Sequence, residues 1–201
     1  MEAHEPVLLK DFINLATPIT GCWVDCTFGA GGYSRALLQN GASQVLAIDK
    51  DSETKVFLKS IQNEYGNLIK FYNQSFADME TNDDIINRDD IGGIVLDLGV
   101  SSMHLDNSSR GFSFRKNGPL DMRMGNQPGP TASEIVNLCS EATLADLIFF
   151  YGQERKARKI ANRIVEERKK KEINTTFELA EIVRAIVPKN FKKDPSTKTF
   201  Q

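Results

Sequence analysis

The sequence predicts an α/β fold, with a parallel sheet in its first half and a helical segment in its second. Three patterns carry this. Short apolar runs alternate with helix-like stretches up to residue 100. A glycine-rich turn, Asp25-Cys26-Thr27-Phe28-Gly29-Ala30-Gly31-Gly32, stands between a strand-like and a helix-like segment. Beyond residue 130 apolar residues recur with the helical period. Continuous apolar strands separated by helices are the mark of a parallel sheet covered on both faces.

The elements follow in order. Cys22-Trp23-Val24-Asp25 reads as a buried strand ending at a polar turn, and 34–39 as a helix that stops at Gly41. Val45-Leu46-Ala47-Ile48-Asp49 is a second strand, followed by a helix over 52–64. A third strand covers 68–72, and a fourth covers Ile94-Val95-Leu96-Asp97-Leu98 after a polar stretch. The loop 106–130 is rich in Gly, Asn, Arg and Pro, and an irregular segment of that length is functional or disordered. Capping boxes begin at Thr131 (with Glu134) and Thr175 (with Glu178). The first opens a short apolar turn through Ile135, Val136 and Leu138. Between the boxes Ala157, Ile160, Ala161, Ile164 and Val165 form an amphipathic stripe. After the second box Leu179, Ile182, Val183, Ile186 and Val187 repeat it, and Pro188 ends it.

Composition narrows the function classes. No apolar run approaches the ~20 residues of a membrane span, and Met1-Glu2-Ala3-His4-Glu5-Pro6 has no basic region of a secretory signal. The cysteines Cys22, Cys26 and Cys139 form no CxxC pair and read as reduced thiols. With His4 and His104 the only imidazoles, no metal site is expected. Charge is uneven: residues 1–100 carry 7 Lys/Arg against 15 Asp/Glu, and residues 101–201 carry 18 against 12. The basic half either meets a polyanion or presents solvated helix faces.

Glycines after a strand let the backbone turn tightly and approach a ligand, and the following helix offers free N–H groups. A dinucleotide fingerprint needs a third glycine where this chain has Ser34, so the spacing disfavours a pyrophosphate. Asp49, at the end of the next strand, is placed to accept hydrogen bonds from both ribose hydroxyls of an adenosine. The ordered set suits a nucleoside cofactor without diphosphate, and S-adenosylmethionine fits. Asp97 of Asp97-Leu98-Gly99-Val100-Ser101-Ser102 ends the fourth strand and should face the same crevice. It contacts the cofactor, orients an amine nucleophile or caps the following turn.

Several further runs carry a resemblance. They are His4-x-Pro6-Val7-Leu8-Leu9, Asp25-x-Thr27-Phe28-Gly29-x-Gly31-Gly32, Ala47-Ile48-Asp49-x-Asp51 and Asp97 to Ser102. Arg110-Gly111-Phe112-Ser113-Phe114, Gly118-Pro119-Leu120-Asp121-Met122-Arg123-Met124, Tyr151-Gly152-x-Glu154-Arg155 and Lys198-Thr199-Phe200-Gln201 complete them. In these stretches the chain closely resembles the RsmH (MraW) family of bacterial 16S rRNA cytosine-N4 methyltransferases. The resemblance implies a Rossmann-like class I S-adenosylmethionine methyltransferase fold with an inserted helical domain, here 1–105 and 106–201. It places Gly31, Gly32 and Tyr33 against the cofactor, Asp49 on its ribose, Phe76 near the adenine, and Asp97 and His104 in the pocket. The family often has His at Tyr33 and Pro-Gln at Met103-His104. Relatives continue past the motif ending at Gln201 with a helix and further strands, so the chain is expected to be part of a longer protein whose sheet is incomplete here.

The implied reaction is methyl transfer to the exocyclic amine of a cytosine, with Asp97 orienting the amine and the Ser101 and Ser102 hydroxyls assisting. Amine methylation needs no covalent cysteine. The loop residues Arg110, Phe112, Phe114 and Arg115 either stack unpaired RNA bases or pack the inserted domain. The segment 155–171, with 9 Lys/Arg and 2 acids, reads as a phosphate-contacting face that includes Arg155, Lys156, Arg158 and Lys159. The expected partner is 16S rRNA or the small ribosomal subunit in a bacterial cytoplasm, with the mitochondrial matrix as the alternative compartment and a dimer among the open oligomeric states. A catalytically inactive RNA-binding remnant and a nucleotide-cofactor oxidoreductase are the rival functions.

Overall fold

The computed structural model describes residues 6–125, 128–188 and 194–201, and of Ser102 only the backbone. His4 of the first motif, and Asn126 and Gln127 of the 106–130 loop, lie outside the described residues. The chain divides into two compact units, 1–99 and 100–201, a few residues ahead of the expected 105/106 boundary.

The first unit runs α1 (Leu9–Ala16), β1 (Cys22–Asp25), α2 (Gly32–Gln39), β2 (Gln44–Ile48), α3 (Lys55–Tyr65), β3 (Ile69–Tyr72), α4 (Asp83–Ile86) and β4 (Ile91–Val95). The strands form one parallel sheet in the order β3-β2-β1-β4. Side chains alternate across it, as the strand period requires. Trp23, Val45 and Ala47 join Phe28, Tyr33, Leu37 and Ile61 in a cluster against which Leu9, Phe12, Ile13 and Ala16 of α1 pack. Cys22, Val24, Cys26, Leu46 and Ile48 point the other way and meet Ile85 of α4. Both faces of β1 and β2 are therefore buried, which is why these strands read as unbroken apolar runs. β4 ends the sheet, and its Ile94 is 46 % exposed.

β4 begins three residues before the expected fourth strand and ends at Val95, so Asp97 lies beyond it. The displacement comes from Gly92 and Gly93, which precede the expected strand but sit inside the observed one. A Cβ on Gly93 would lie 2.5 Å from the Trp23 ring, and one on Gly92 would lie 2.0 Å from the Thr20 carbonyl. Glycine in a strand interior marks a close approach or a bulge. Both occur here, since the β1–β4 register shifts between Cys22 and Trp23.

The second unit contains α5 (Ser102–Asp106), α6 (Ala132–Leu138), α7 (Glu141–Phe150), α8 (Ala157–Arg168) and α9 (Thr176–Arg184). Both expected capping boxes are formed, at the heads of α6 and α9. Ala157, Ile160, Ala161 and Ile164 of α8 are buried with Leu144, Ile148, Leu179 and Val183. α9 stops at Arg184, and the turn after it takes up the remaining stripe, with Val187 N–H donating to the Val183 carbonyl at 2.9 Å.

The run Gly118 to Met124 holds this unit together. Gly118 and Thr176 exchange contacts, with Thr176 N–H on the Gly118 carbonyl at 3.0 Å and Gly118 N–H on Thr176 Oγ1 at 3.3 Å. Leu120 is buried in the core and pairs with Asn174 and Ser133 through its backbone. Asp121 accepts the Ala132 N–H at 2.7 Å through its carbonyl, while its carboxylate grips the Arg123 guanidinium. The strongest run of the sequence resemblance is thus a structural knot joining the loop to the heads of α6 and α9. Among the described residues no helix is long and apolar enough to cross a membrane.

Candidate functional site

The site in the first unit forms where β1, β2 and β4 end. Asp25 closes β1 and is fully buried. Its Oδ2 accepts the Ser34 hydroxyl at 2.7 Å and its Oδ1 the Thr27 N–H at 3.2 Å. One carboxylate thus clamps both ends of the glycine turn. Burial, opposed by these hydrogen bonds, pushes the Asp25 carboxyl up to about 6.

That shift has a consequence for stability. An unfolded carboxyl titrates near 3.8, and the folded one near 6. Between these values the folded state keeps a proton that the unfolded state has lost, so raising the pH through the window destabilises the first unit. The full shift corresponds to about 3 kcal/mol. Urea titrations between pH 4 and 7 should show the stability difference between the unaltered chain and Asp25→Asn changing steadily across this window. A pH-independent difference would show that the carboxyl titrates normally.

Gly31 enters α2 in the left-handed region, φ 80°. A Cβ there would lie 2.4 Å from Ile61 Cδ1 and 2.9 Å from Phe28 Cε2. Gly31 is therefore required by the core beneath the turn as well as by its backbone angle. The first turn of α2 begins with Gly32 and Tyr33. Tyr33 is buried edge-on against Phe12 of α1, 5.3 Å between centroids, and burial followed by the charges of Asp97 and Asp25 raises its phenol.

Asp49 follows β2, with Oδ2 accepting the Gly29 N–H and Oδ1 the Asp51 N–H, each at 2.8 Å. Its carbonyl accepts the Asn73 side-chain amide at 2.9 Å. A carboxylate has about four acceptor positions, and this one ends β2 beside the glycine turn. Phe76 opens a short 3₁₀ turn after Asn73 and is 36 % exposed. Asp97 is exposed, and its N–H donates to Thr27 Oγ1 at 2.8 Å. Through Thr27 the turn after β4 is fastened to the glycine turn. Thr27 and Ser34 were missed as site residues in the sequence. The available signal was a hydroxyl residue two places after a strand-ending Asp.

Burial pushes the Cys26 thiol up to about 11, helped by the Asp25 charge, so it stays protonated at neutral pH. This agrees with the absence of a nucleophilic cysteine from the sequence reading.

The remaining expected residues lie in the second unit. Ser101 caps α5: its hydroxyl accepts the His104 N–H at 3.4 Å, while His104 Nδ1 accepts the Ser101 N–H at 3.2 Å. Ser102 is the first residue of α5, and its side chain lies outside the described part. The His104 ring stacks on Phe112, 4.9 Å between centroids, and Phe112 is 6 % exposed. Phe114 is half-buried and edge-on to Phe200 at 5.3 Å. Both aromatic rings of the loop are engaged inside the unit. Arg110 reaches the Arg123 carbonyl at 3.2 Å, and Arg115 is exposed.

Of the basic segment, Arg155, Arg158 and Lys159 are exposed, and among the described residues no carboxylate pairs with them. Lys156 differs: its ammonium donates to the Ile186 carbonyl at 2.8 Å and ties the head of α8 to the turn after α9.

The comparisons with known proteins agree with this geometry. The family model described as the MraW methylase family matches residues 1–201. "Ribosomal RNA small subunit methyltransferase H" of Wolbachia sp. subsp. Drosophila simulans is 48% identical over 200 residues, covering 98% of this chain and 68% of the relative. The protein of the same name from Ehrlichia ruminantium is 46% identical over 202 residues, covering 98% and 67%. That from Cereibacter sphaeroides is 44% identical over 200 residues, covering 98% and 59%. With a parallel sheet whose glycine turn and acidic strand ends are joined by Asp25, Thr27 and Asp49, and a family match along its whole length, the chain belongs to the MraW methylase family.

Proposed function

We propose that this chain transfers the methyl group of S-adenosylmethionine to the exocyclic N4 amine of a cytosine in small-subunit ribosomal RNA, in a bacterial cytoplasm. The observation that carries the proposal is the joining of Asp49 and the Asp97 backbone to one glycine turn. The donor and acceptor set fits the cofactor. Asp49 is a carboxylate of the kind that accepts ribose hydroxyls, held at the turn by the Gly29 N–H. Gly31, Gly32 and Tyr33 lie where α2 begins beside the turn, and Phe76 offers a partly exposed ring for an adenine. No site for a diphosphate is needed, which leaves the oxidoreductase reading without support. When bound, S-adenosylmethionine supplies an electrophilic methyl group on a sulfonium.

The amine of cytosine is a poor nucleophile because its lone pair is delocalised into the ring. Asp97 accepts a hydrogen bond from that amine, which fixes its orientation and localises electron density on nitrogen. The Asp97 carboxylate is exposed while its backbone is held by Thr27, so it is accessible and positioned. Ser101 keeps its O–H as a donor, and with Ser102 it is assigned the helper role. Arg110, Arg115, Arg155, Arg158 and Lys159 are assigned to RNA phosphates.

Asp97→Asn should lower kcat for methyl transfer by about 10²–10³. The assay is mass spectrometry of nucleosides released from small-subunit RNA after incubation with the chain and labelled cofactor. Label on a ring carbon or a ribose oxygen, or an unchanged rate in Asp97→Asn, would overturn the assignment.

A further inference from the structure

The end of α7 presents an aromatic patch to solvent where the chain turns towards α8. Phe149, Phe150 and Tyr151 are consecutive, and they are 51 %, 70 % and 75 % exposed. Single exposed apolar residues are ordinary, but a contiguous aromatic patch marks an interaction surface. Phe149 and Phe150 support one another edge-to-face, 5.4 Å between centroids. Arg155 follows in the turn, and Arg158 and Lys159 stand on the first turn of α8, all three exposed and unpaired among the described residues.

The turn that joins the two sets is tightly held. Gln153 N–H donates to the Phe149 carbonyl at 2.9 Å, and Gln153 itself has a left-handed φ of 52°. The buried Glu154 carboxylate accepts the Lys156 N–H at 2.8 Å. Lys198 Nζ donates to the Gln153 carbonyl at 2.9 Å, and a Cβ on Gly152 would lie 2.0 Å from the Lys198 carbonyl. The rings and cations thus project from a backbone whose shape is set before any partner arrives, which lowers the ordering cost of binding.

We infer that this turn is a docking platform for single-stranded RNA, with Phe150 and Tyr151 stacking on unpaired bases and Arg155, Arg158 and Lys159 on the adjoining phosphates. Aromatic faces beside unpaired cations are the chemistry that single strands require, whereas duplexes hide their base faces. A purely apolar protein partner would leave the cations desolvated and unpaired. The inference rests on the ribosomal-RNA reading above and relocates its stacking role, because the Phe112 and Phe114 rings are engaged internally.

The test uses the whole chain and a fluorescein-labelled, cytosine-containing single strand of about a dozen nucleotides, with its duplex as control, read by anisotropy. Phe150→Ala with Tyr151→Ala should weaken single-strand binding by about tenfold for each ring and leave duplex binding nearly unchanged. Phe150→Tyr with Tyr151→Phe keeps both ring faces and should bind as the unaltered chain does. Arg155→Gln, Arg158→Gln and Lys159→Gln together should reduce the slope of log affinity against log salt by about 2. Unchanged affinity in the double alanine variant overturns the platform. If that variant instead loses self-association in sedimentation, the patch is a contact between copies of this chain. When the unaltered chain methylates RNA and the platform variants bind and methylate as it does, the platform fails and the functional reading survives. When it neither binds RNA nor transfers a methyl group, both readings fail.

Discussion

Asp49→Ala should weaken binding of S-adenosylmethionine by about 10²–10⁴, measured by titration calorimetry on the folded chain. The size follows from what the carboxylate does. Two hydrogen bonds from ribose hydroxyls to a charged acceptor contribute about 1.5–3 kcal/mol each. The same oxygens hold the Gly29 and Asp51 N–H groups, so alanine also frees the glycine turn to move. Asp49→Asn separates the two contributions. It retains one carbonyl acceptor and should lose about tenfold. Equal affinities in all three chains would remove Asp49 from the cofactor and reduce it to a turn-holding residue.

In the second unit the largest effect is expected from Gly118→Ala. The new Cβ would lie 1.9 Å from the Ser108 carbonyl oxygen and 2.8 Å from its carbon, both backbone atoms. Relief by moving residue 118 is opposed by its two hydrogen bonds to Thr176 at the head of α9. Overpacking against rigid backbone costs about 3 kcal/mol, and the loss of the Thr176 contacts adds to it. For a unit of this size that lowers the melting temperature by about 10–20 °C. Far-UV circular dichroism follows the helices of both units, while Trp23, the single tryptophan, reports on the first alone. The part of the helical signal that does not melt with Trp23 should move, and the tryptophan transition should stay. An unmoved helical transition would show that the Ser108 turn yields easily.

The strands and turns of the first unit were legible because local chemistry decided them. β1 and β2 lie where their apolar runs lie, since burial on both faces leaves no polar position to blur the pattern. The capping boxes were legible for a similar reason, since cap and partner are three residues apart. α7 escaped notice because EATLADLIFF has apolar residues on every side and no stripe to count. β4 was displaced because its glycines answer to Trp23, a residue far away in the sequence.

The residue types of the candidate site were likewise legible, but their partners were not. Asp49 and Asp97 could be named from their place after apolar runs. That Asp97 is fastened through Thr27, and that Asp25 is buried between Thr27 and Ser34, depends on three strand ends converging. The aromatic residues show the same division in reverse. Phe112 and Phe114, flanked by arginines, look like base-stacking residues, yet one ring lies on His104 and the other on Phe200. Phe150 and Tyr151 close α7, for which the sequence offers no stripe, and they stand in solvent beside cations that are unpaired among the described residues.

By itself, then, the sequence determined the α/β class, the glycine turn, the acidic strand ends, the helix caps and the family. All of these depend on residues near one another in the chain or on motifs read in order. Only the tertiary structure decided which carboxylate is buried, where β4 begins, and which aromatic faces and cations remain open to a ligand. Exposure and pairing arise from packing between distant segments, and no local pattern encodes them.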